Sequence, residues 1–220
     1  MRLNASSSWQ LYVILDRQAS GSRDLCDLAA AAIRGGADVI QLRDKTASST
    51  SLAAEARRLL LVTRPAGIPL IINDHLDVAH DVNADGVHLG QDDGPTQEAR
   101  RVLGPHQLIG RSTHSLAQAQ AAAHDGADYI GFGPIFSTPT KPAYASIGTA
   151  EIEELTRKIS IPVVCIGGID AKTLPTVSAA GARCVAVVRA VCAAEDPEHA
   201  ANILKKCLTL FDRAVVSPTV

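Results

Sequence analysis

The chain is expected to fold as one α/β domain, a closed parallel (β/α)8 barrel of the TIM-barrel kind. Short apolar runs recur along the sequence without in-out alternation, as strands buried on both faces should. Between them lie Ala- and Leu-rich stretches with helical spacing. A Gly-Ala pair precedes three of the runs, at Gly36-Ala37, Gly126-Ala127 and Gly181-Ala182, each fitting a helix that ends in a capping glycine and turns tightly into a strand. About eight strand–helix units in 220 residues, with no linker, suit a compact barrel. A doubly wound open sheet is the alternative, and the unit count favours the barrel. The domain is expected to span 1–220, with the barrel at about 10–210 and short flexible tails.

The strands are expected at Leu11–Leu15, Asp38–Leu42, Leu70–Asn73, Gly86–Leu89, Leu108–Arg111, Tyr129–Phe132, Val163–Ile166 and Cys184–Val188. The clearest helices are Leu25–Arg34, Leu52–Val62, Leu116–Asp125 and Ala200–Leu210. Ser115 before Leu116 and Pro197 near the start of the last helix are start signals.

Composition narrows the function. Hydrophobic residues make up 46% and charged residues 20%, enough for a full core. A net charge of -2 and 3% aromatic content give no surface suited to nucleic acid or to a membrane. Five cysteines without a CxxC pair fit a reducing compartment. The amino terminus, MRLNASSSWQ, lacks the apolar core of a secretory signal, and no apolar run is long enough for a membrane span. A soluble cytoplasmic protein is expected. HExxH, GxSxG and Walker motifs are absent.

In a barrel the loops after the strands form one rim, where the chemistry sits. Polar residues gather at those ends. After the second strand, Gln41, Arg43 and Lys45 share one face by the two-residue period, while Ile40 and Leu42 face the helices. Buried cations need an anion, either a neighbouring carboxylate or a bound oxyanion. The third and fourth strand ends carry Asp74 and Asp92-Asp93. These are hard oxygen donors suited to Mg²⁺, or caps of the following helices. The fifth ends in Ser112, a phosphate donor or a turn residue, followed by the ambiguous His114. After the sixth, Ser137-Thr138-Pro139-Thr140-Lys141 suits a phosphorylated ligand, with hydroxyls, amides and one point charge. Gly167-Gly168 after the seventh strand and Val188-Arg189 after the eighth occupy the phosphate-binding position of such barrels. His88, inside a strand, reads as structural. Two anion sites in one mouth suit two phosphorylated substrates.

The pieces LYVILD, QLRDK, IINDHLDVA, GVHLGQDD, STHS, GADYIGFGPIFSTPTK and IGGI, in this order from Leu11 to about Ala190, resemble the thiamine phosphate synthase family. The resemblance implies a Mg²⁺-dependent transferase acting on small phosphorylated pyrimidine and thiazole substrates. It would join 4-amino-2-methyl-5-hydroxymethylpyrimidine diphosphate to a thiazole phosphate and release pyrophosphate. By similarity Gln41, Arg43, Lys45, Asn73 and Lys141 hold the pyrimidine diphosphate. Asp74 and Asp93 ligate Mg²⁺, and Ser112 bonds the pyrophosphate. Thr138 and Thr140 bind the thiazole, whose phosphate meets the amides of Gly168 and of the Val188–Arg189 turn. Ser112, Lys141 and Arg43 are the residues expected to carry catalysis. Arg189 departs from the small residue of the family pattern. Two rivals are a thiazole tautomerase, for which His114 could shuttle a proton, and a non-catalytic barrel that binds a phosphorylated ligand.

Overall fold

The computed structural model describes residues 8–138 and 145–216, with side chains through Asp212. The strands are β1 (Leu11–Asp16), β2 (Val39–Arg43), β3 (Leu70–Asn73), β4 (Gly86–Leu89), β5 (Leu108–Thr113), β6 (Tyr129–Phe132), β7 (Val163–Ile166) and β8 (Cys184–Val187). All pair in parallel with their sequence neighbours, and β1 also pairs with β8, so the sheet closes and the open-sheet alternative falls. The helices are α1 (Arg17–Ser20), α2 (Leu25–Arg34), α3 (Ser49–Thr63), α4 (Leu76–Asp81), α5 (Thr96–Leu103), α6 (Leu116–His124), α7 (Ile152–Lys158), α8 (Leu174–Ala179), α9 (Arg189–Cys192) and α10 (Pro197–Val216). Most expected elements fall within a few residues of these bounds. The α3 helix starts earlier than its apolar pattern because Ser48 caps it, its hydroxyl accepting from the Ser51 N–H at 3.2 Å. β1 and β5 continue into polar residues, paired as Asp16 with Arg43 and Thr113 with Phe132.

The Gly-Ala pairs belong to a four-fold repeat at the foot of the barrel. Gly36, Gly126 and Gly181 have φ of +100°, +89° and +102°, and Asn83 takes the same place with φ +52°. The following alanines, Ala37, Ala84, Ala127 and Ala182, each donate back to a carbonyl in the preceding helix at 2.9–3.2 Å, closing a Schellman turn. The next residue is Asp38, Asp85 or Asp128 in the first three copies. Each carboxylate accepts an N–H from the first or second residue of the preceding strand, Leu11, Leu70 or Ile109, at 2.8–2.9 Å. The fourth copy has Arg183, which pairs with Asp212. The repeat sets the starts of β1, β3 and β5 against their neighbours. Gly126→Ala isolates the conformational part of this device, because an added Cβ would meet nothing within 4 Å. It is expected to cost about 1 kcal/mol in denaturant unfolding, from the left-handed backbone alone.

The inward face of the strands changes character along the barrel axis. At the foot, Trp9 is 5% exposed and packs with Val39, Leu108, Tyr129 and Cys184 in an apolar cluster. It meets Tyr12 and Tyr129 edge-on, with ring centroids 6.2 and 5.5 Å apart. One or two steps toward the carboxyl ends, the same inward stripes present Gln41, Asn73, His88 and Ser112. The outward stripes, including Ile40, Leu42, Ile72, Val87 and Ile130, build the main core against the helices. The polar part of the barrel axis therefore lies toward its carboxyl end.

Candidate active site

A cavity of about 470 Å³ opens at that end. Its floor is a continuous chain of hydrogen bonds drawn from five strands. The Gln41 side-chain amide donates to the Tyr12 hydroxyl at 2.9 Å, and the Tyr12 and Tyr129 hydroxyls lie 3.0 Å apart. Tyr129 meets His88 Nδ1 at 3.1 Å, and His88 Nε2 meets the Ser112 hydroxyl at 3.0 Å. Burial pushes both phenols well above the usual tyrosine range, so they stay neutral. His88 is thus part of the cavity floor rather than plain packing. Within one strand an aromatic and a histidine look like core; their convergence across the barrel supplies the polar meaning.

Arg43 lies beside this floor at the end of β2. Its guanidinium bonds Asp16, its register partner on β1, and the two residues are 8% and 3% exposed. The second Asp16 oxygen accepts the Ala19 N–H at 2.9 Å and caps α1. The fold therefore supplies the anion that Arg43 needs, and its burial does not by itself call for a ligand. Asp16 had no place in the sequence-based site, although it shares the inward parity of Tyr12 and Ile14.

Lys45 stands outside the cavity lining, with its ammonium 3.8 Å from Asp74. Asp74 and Asp93 also lie off the lining, at the adjacent ends of β3 and β4. Asp74 has φ +63°, and its N–H donates to the His88 carbonyl at 2.8 Å. It does not cap α4, whose cap position is His75 without a side-chain bond. Neither Asp92 nor Asp93 caps α5, which begins after Pro95; Asp93 instead accepts the Gly90 N–H at 2.6 Å and closes a turn. The helix-cap alternative for these carboxylates therefore fails.

Across the cavity the loops after β6 and β7 are laced together. Ile135 N–H donates to the Ile166 carbonyl at 2.8 Å and Phe136 N–H to that of Gly167 at 3.0 Å. This contact makes Gly167 and Gly168 necessary: they have φ of +105° and +63°, and an added Cβ would lie 2.6 Å from Pro134 or 2.7 Å from Phe136. Among the described residues, the N–H groups of Gly168 and Ile169, and of Val188, Arg189 and Ala190, have no protein acceptor, and all five residues line the cavity. His114 Nδ1 donates to the Gly133 carbonyl.

The family model described as thiamine monophosphate synthase matches residues 11–191. The chain belongs to the thiamine monophosphate synthase family. A thiamine-phosphate synthase of Roseiflexus castenholzii is 48% identical over 195 residues, covering 88% of this chain and 86% of its own. One from Chloroflexus aurantiacus is 48% identical over 203 residues, covering 92% and 94%. A solved thiamine phosphate pyrophosphorylase from Pyrococcus furiosus superposes with a TM-score of 0.85 at 34% identity, covering 94% of this chain and 99% of its own. The synthase reading, that of a transferase, therefore stands over the tautomerase and the non-catalytic barrel. Of the residues assigned by resemblance to this family, Gln41, Arg43, Asn73, Ser112, Thr138, Gly168, Val188 and Arg189 line the one cavity. Lys45, Asp74 and Asp93 do not line it, and Thr140 and Lys141 lie outside the described residues.

Proposed function

We propose that the chain condenses 4-amino-2-methyl-5-hydroxymethylpyrimidine diphosphate with a 4-methyl-5-hydroxyethylthiazole phosphate, forming thiamine phosphate and pyrophosphate. One observation carries the reading most directly. The side chains of Gln41, Asn73, Arg43 and Ser112 line the same cavity as a cluster of backbone amides that have no protein acceptor among the described residues. Gln41 and Asn73 offer carboxamides to the pyrimidine. Arg43 and Ser112 offer N–H and O–H donors to its diphosphate. The amides at Gly168–Ile169 and Val188–Ala190 suit the thiazole phosphate, with Thr138 beside them. Lys141 would add charge to the diphosphate and Thr140 a hydroxyl to the thiazole.

The donor set fits Mg²⁺. Among the described residues no group of three or more His, Cys, Asp or Glu side chains forms a metal cage. Mg²⁺ is usually held by one or two carboxylates, completed by water and substrate phosphate, and Asp74 and Asp93 at adjacent strand ends match that habit. Bound there, Mg²⁺ supplies positive charge to the departing pyrophosphate. Lys45, beside Asp74, adds a cation to that region. Arg43 and Ser112 hold the diphosphate as its charge develops, and preorganised donors of this kind favour bond breaking ahead of bond making. The electron-rich aminopyrimidine supports a cationic methylene, which the thiazole nitrogen captures. Ile14, Val164, Ile166 and Ile169 give the cavity apolar walls that limit water near that cation.

Mixing both substrates with the purified protein and following pyrophosphate tests the reading. Release is expected with Mg²⁺ and to stop on chelation. Change of the thiazole alone would point to the tautomerase, and binding without release to the non-catalytic barrel. Lys141→Ala is expected to lower turnover at least about a hundredfold, the size lost with one preorganised donor. Near-normal turnover in that folded variant would remove Lys141 from the site.

A further inference from the structure

We infer that Tyr12, Tyr129 and His88 are positioning residues, a one-way hydrogen-bond relay that holds Ser112 as a donor and Gln41 as an acceptor toward the ligand. This deepens the proposed function and rests on it. The direction follows from counting protons. The amide nitrogen of Gln41 can only donate, so the Tyr12 oxygen accepts and its own proton passes to Tyr129. Tyr129 then donates to His88 Nδ1, which must carry a lone pair. A neutral imidazole with a bare Nδ1 has its proton on Nε2, where it donates to the Ser112 oxygen. The Ser112 proton is thereby turned toward the cavity, ready for an anionic oxygen. At the other end, the Gln41 carbonyl oxygen has no protein partner among the described residues and is not among the buried unsatisfied atoms, so it opens to the cavity.

The arrangement is built into the barrel. Tyr12, Tyr129 and Gln41 are 2%, 0% and 3% exposed, and Trp9 packs edge-on against both tyrosines. Gly110 and Gly131 make the room: a Cβ on Gly110 would lie 2.2 Å from Tyr129 Cζ and 2.5 Å from His88 Nδ1, and one on Gly131 would lie 3.2 Å from His88 Cε1. The opposite direction is self-consistent only if the Gln41 amide turns over and presents its NH₂ to the ligand. The relay thus couples ring recognition to the state of a histidine on the far side of the barrel floor. A ring bearing an amino donor matches the observed direction. The same ring with an oxo group meets the Gln41 oxygen as acceptor against acceptor.

The test compares the 4-amino and 4-oxo pyrimidine diphosphates in wild type, Tyr12→Phe, Tyr129→Phe and the double variant. The readout is kcat/KM for pyrophosphate release with Mg²⁺ and saturating thiazole phosphate. Wild type is expected to prefer the amino compound by at least about a hundredfold, and either single substitution to shrink that preference at least about tenfold by freeing the Gln41 amide. The double variant should lose no more than one single, because the relay acts as a unit. An unchanged preference in folded Tyr129→Phe, or two losses that multiply, would overturn the relay; a merely structural role would change stability and leave the preference alone. Histidine nitrogen NMR on the wild type needs neither turnover nor a variant. His88 protonated on Nε2 supports the relay, and protonation on Nδ1 sinks it. If wild type releases no pyrophosphate from either compound, the proposed reaction fails while the tautomer still decides the relay.

Discussion

Arg43→Ala is expected to cost the fold about 3–5 kcal/mol, the usual penalty for removing one member of a buried ion pair. Asp16 would remain at the end of β1, 3% exposed, with its α1 capping bond but no guanidinium. Urea unfolding followed by a spectroscopic probe reads this loss. Pyrophosphate release should fall at least about a hundredfold in any folded fraction, because Arg43 also faces the cavity that is proposed to hold the diphosphate.

The two losses can be separated. Replacing both members by apolar residues, Asp16→Leu with Arg43→Met, removes the orphaned charge, and such swaps of a buried pair are often neutral or stabilising. Stability is expected to return to within about 1 kcal/mol of wild type, allowing for the lost α1 cap. Turnover is not expected to return. A double variant that is stable and active would mean that Arg43 serves only the fold.

Much of the architecture was legible because burial on both faces leaves a direct mark on sequence. The eight apolar runs, and the parity that places Gln41 and Arg43 inward with Leu42 outward, needed no coordinates. The foot of the barrel was partly hidden. The Asn83 copy of the turn repeat escaped because an Asn can adopt the left-handed backbone that the Gly-Ala pattern advertises. Trp9 lies just before the first strand, where a single aromatic says nothing of the barrel axis it fills. The cavity floor was the least legible part. Tyr12, His88 and Tyr129 stand 117 residues apart at the extremes, and each alone satisfies the description of a core residue. Asp16 was missed for a related reason: only the β1–β2 register shows that its charge belongs to Arg43. The glycine pair after β7 reads in the sequence as a phosphate signal, and in the fold its first cause is packing against Pro134 and Phe136.

Asp93→Ala is expected to lower turnover at least about a hundredfold, by about 3–4 kcal/mol in the barrier if the carboxylate holds a catalytic metal. A structural alternative predicts a loss too, because Asp93 closes its turn on the Gly90 N–H at 2.6 Å. Asp93→Asn distinguishes them. The Asn side-chain oxygen can accept the same N–H, so the turn survives while the negative charge is gone. If Asp93 is a Mg²⁺ ligand, Asn should be nearly as damaging as Ala, and the Mg²⁺ concentration for half-maximal rate should rise in both. If Asp93 only shapes the turn, Asn should retain most of the activity with an unaltered Mg²⁺ requirement. Asp74 supplies the companion measurement. It sits one strand away with φ +63°, a backbone that Asn tolerates as well as Asp does. Asp74→Asn should therefore spare stability and shift the Mg²⁺ dependence in the same direction. A normal Mg²⁺ dependence in both Asn variants would remove the metal from this pair of strand ends.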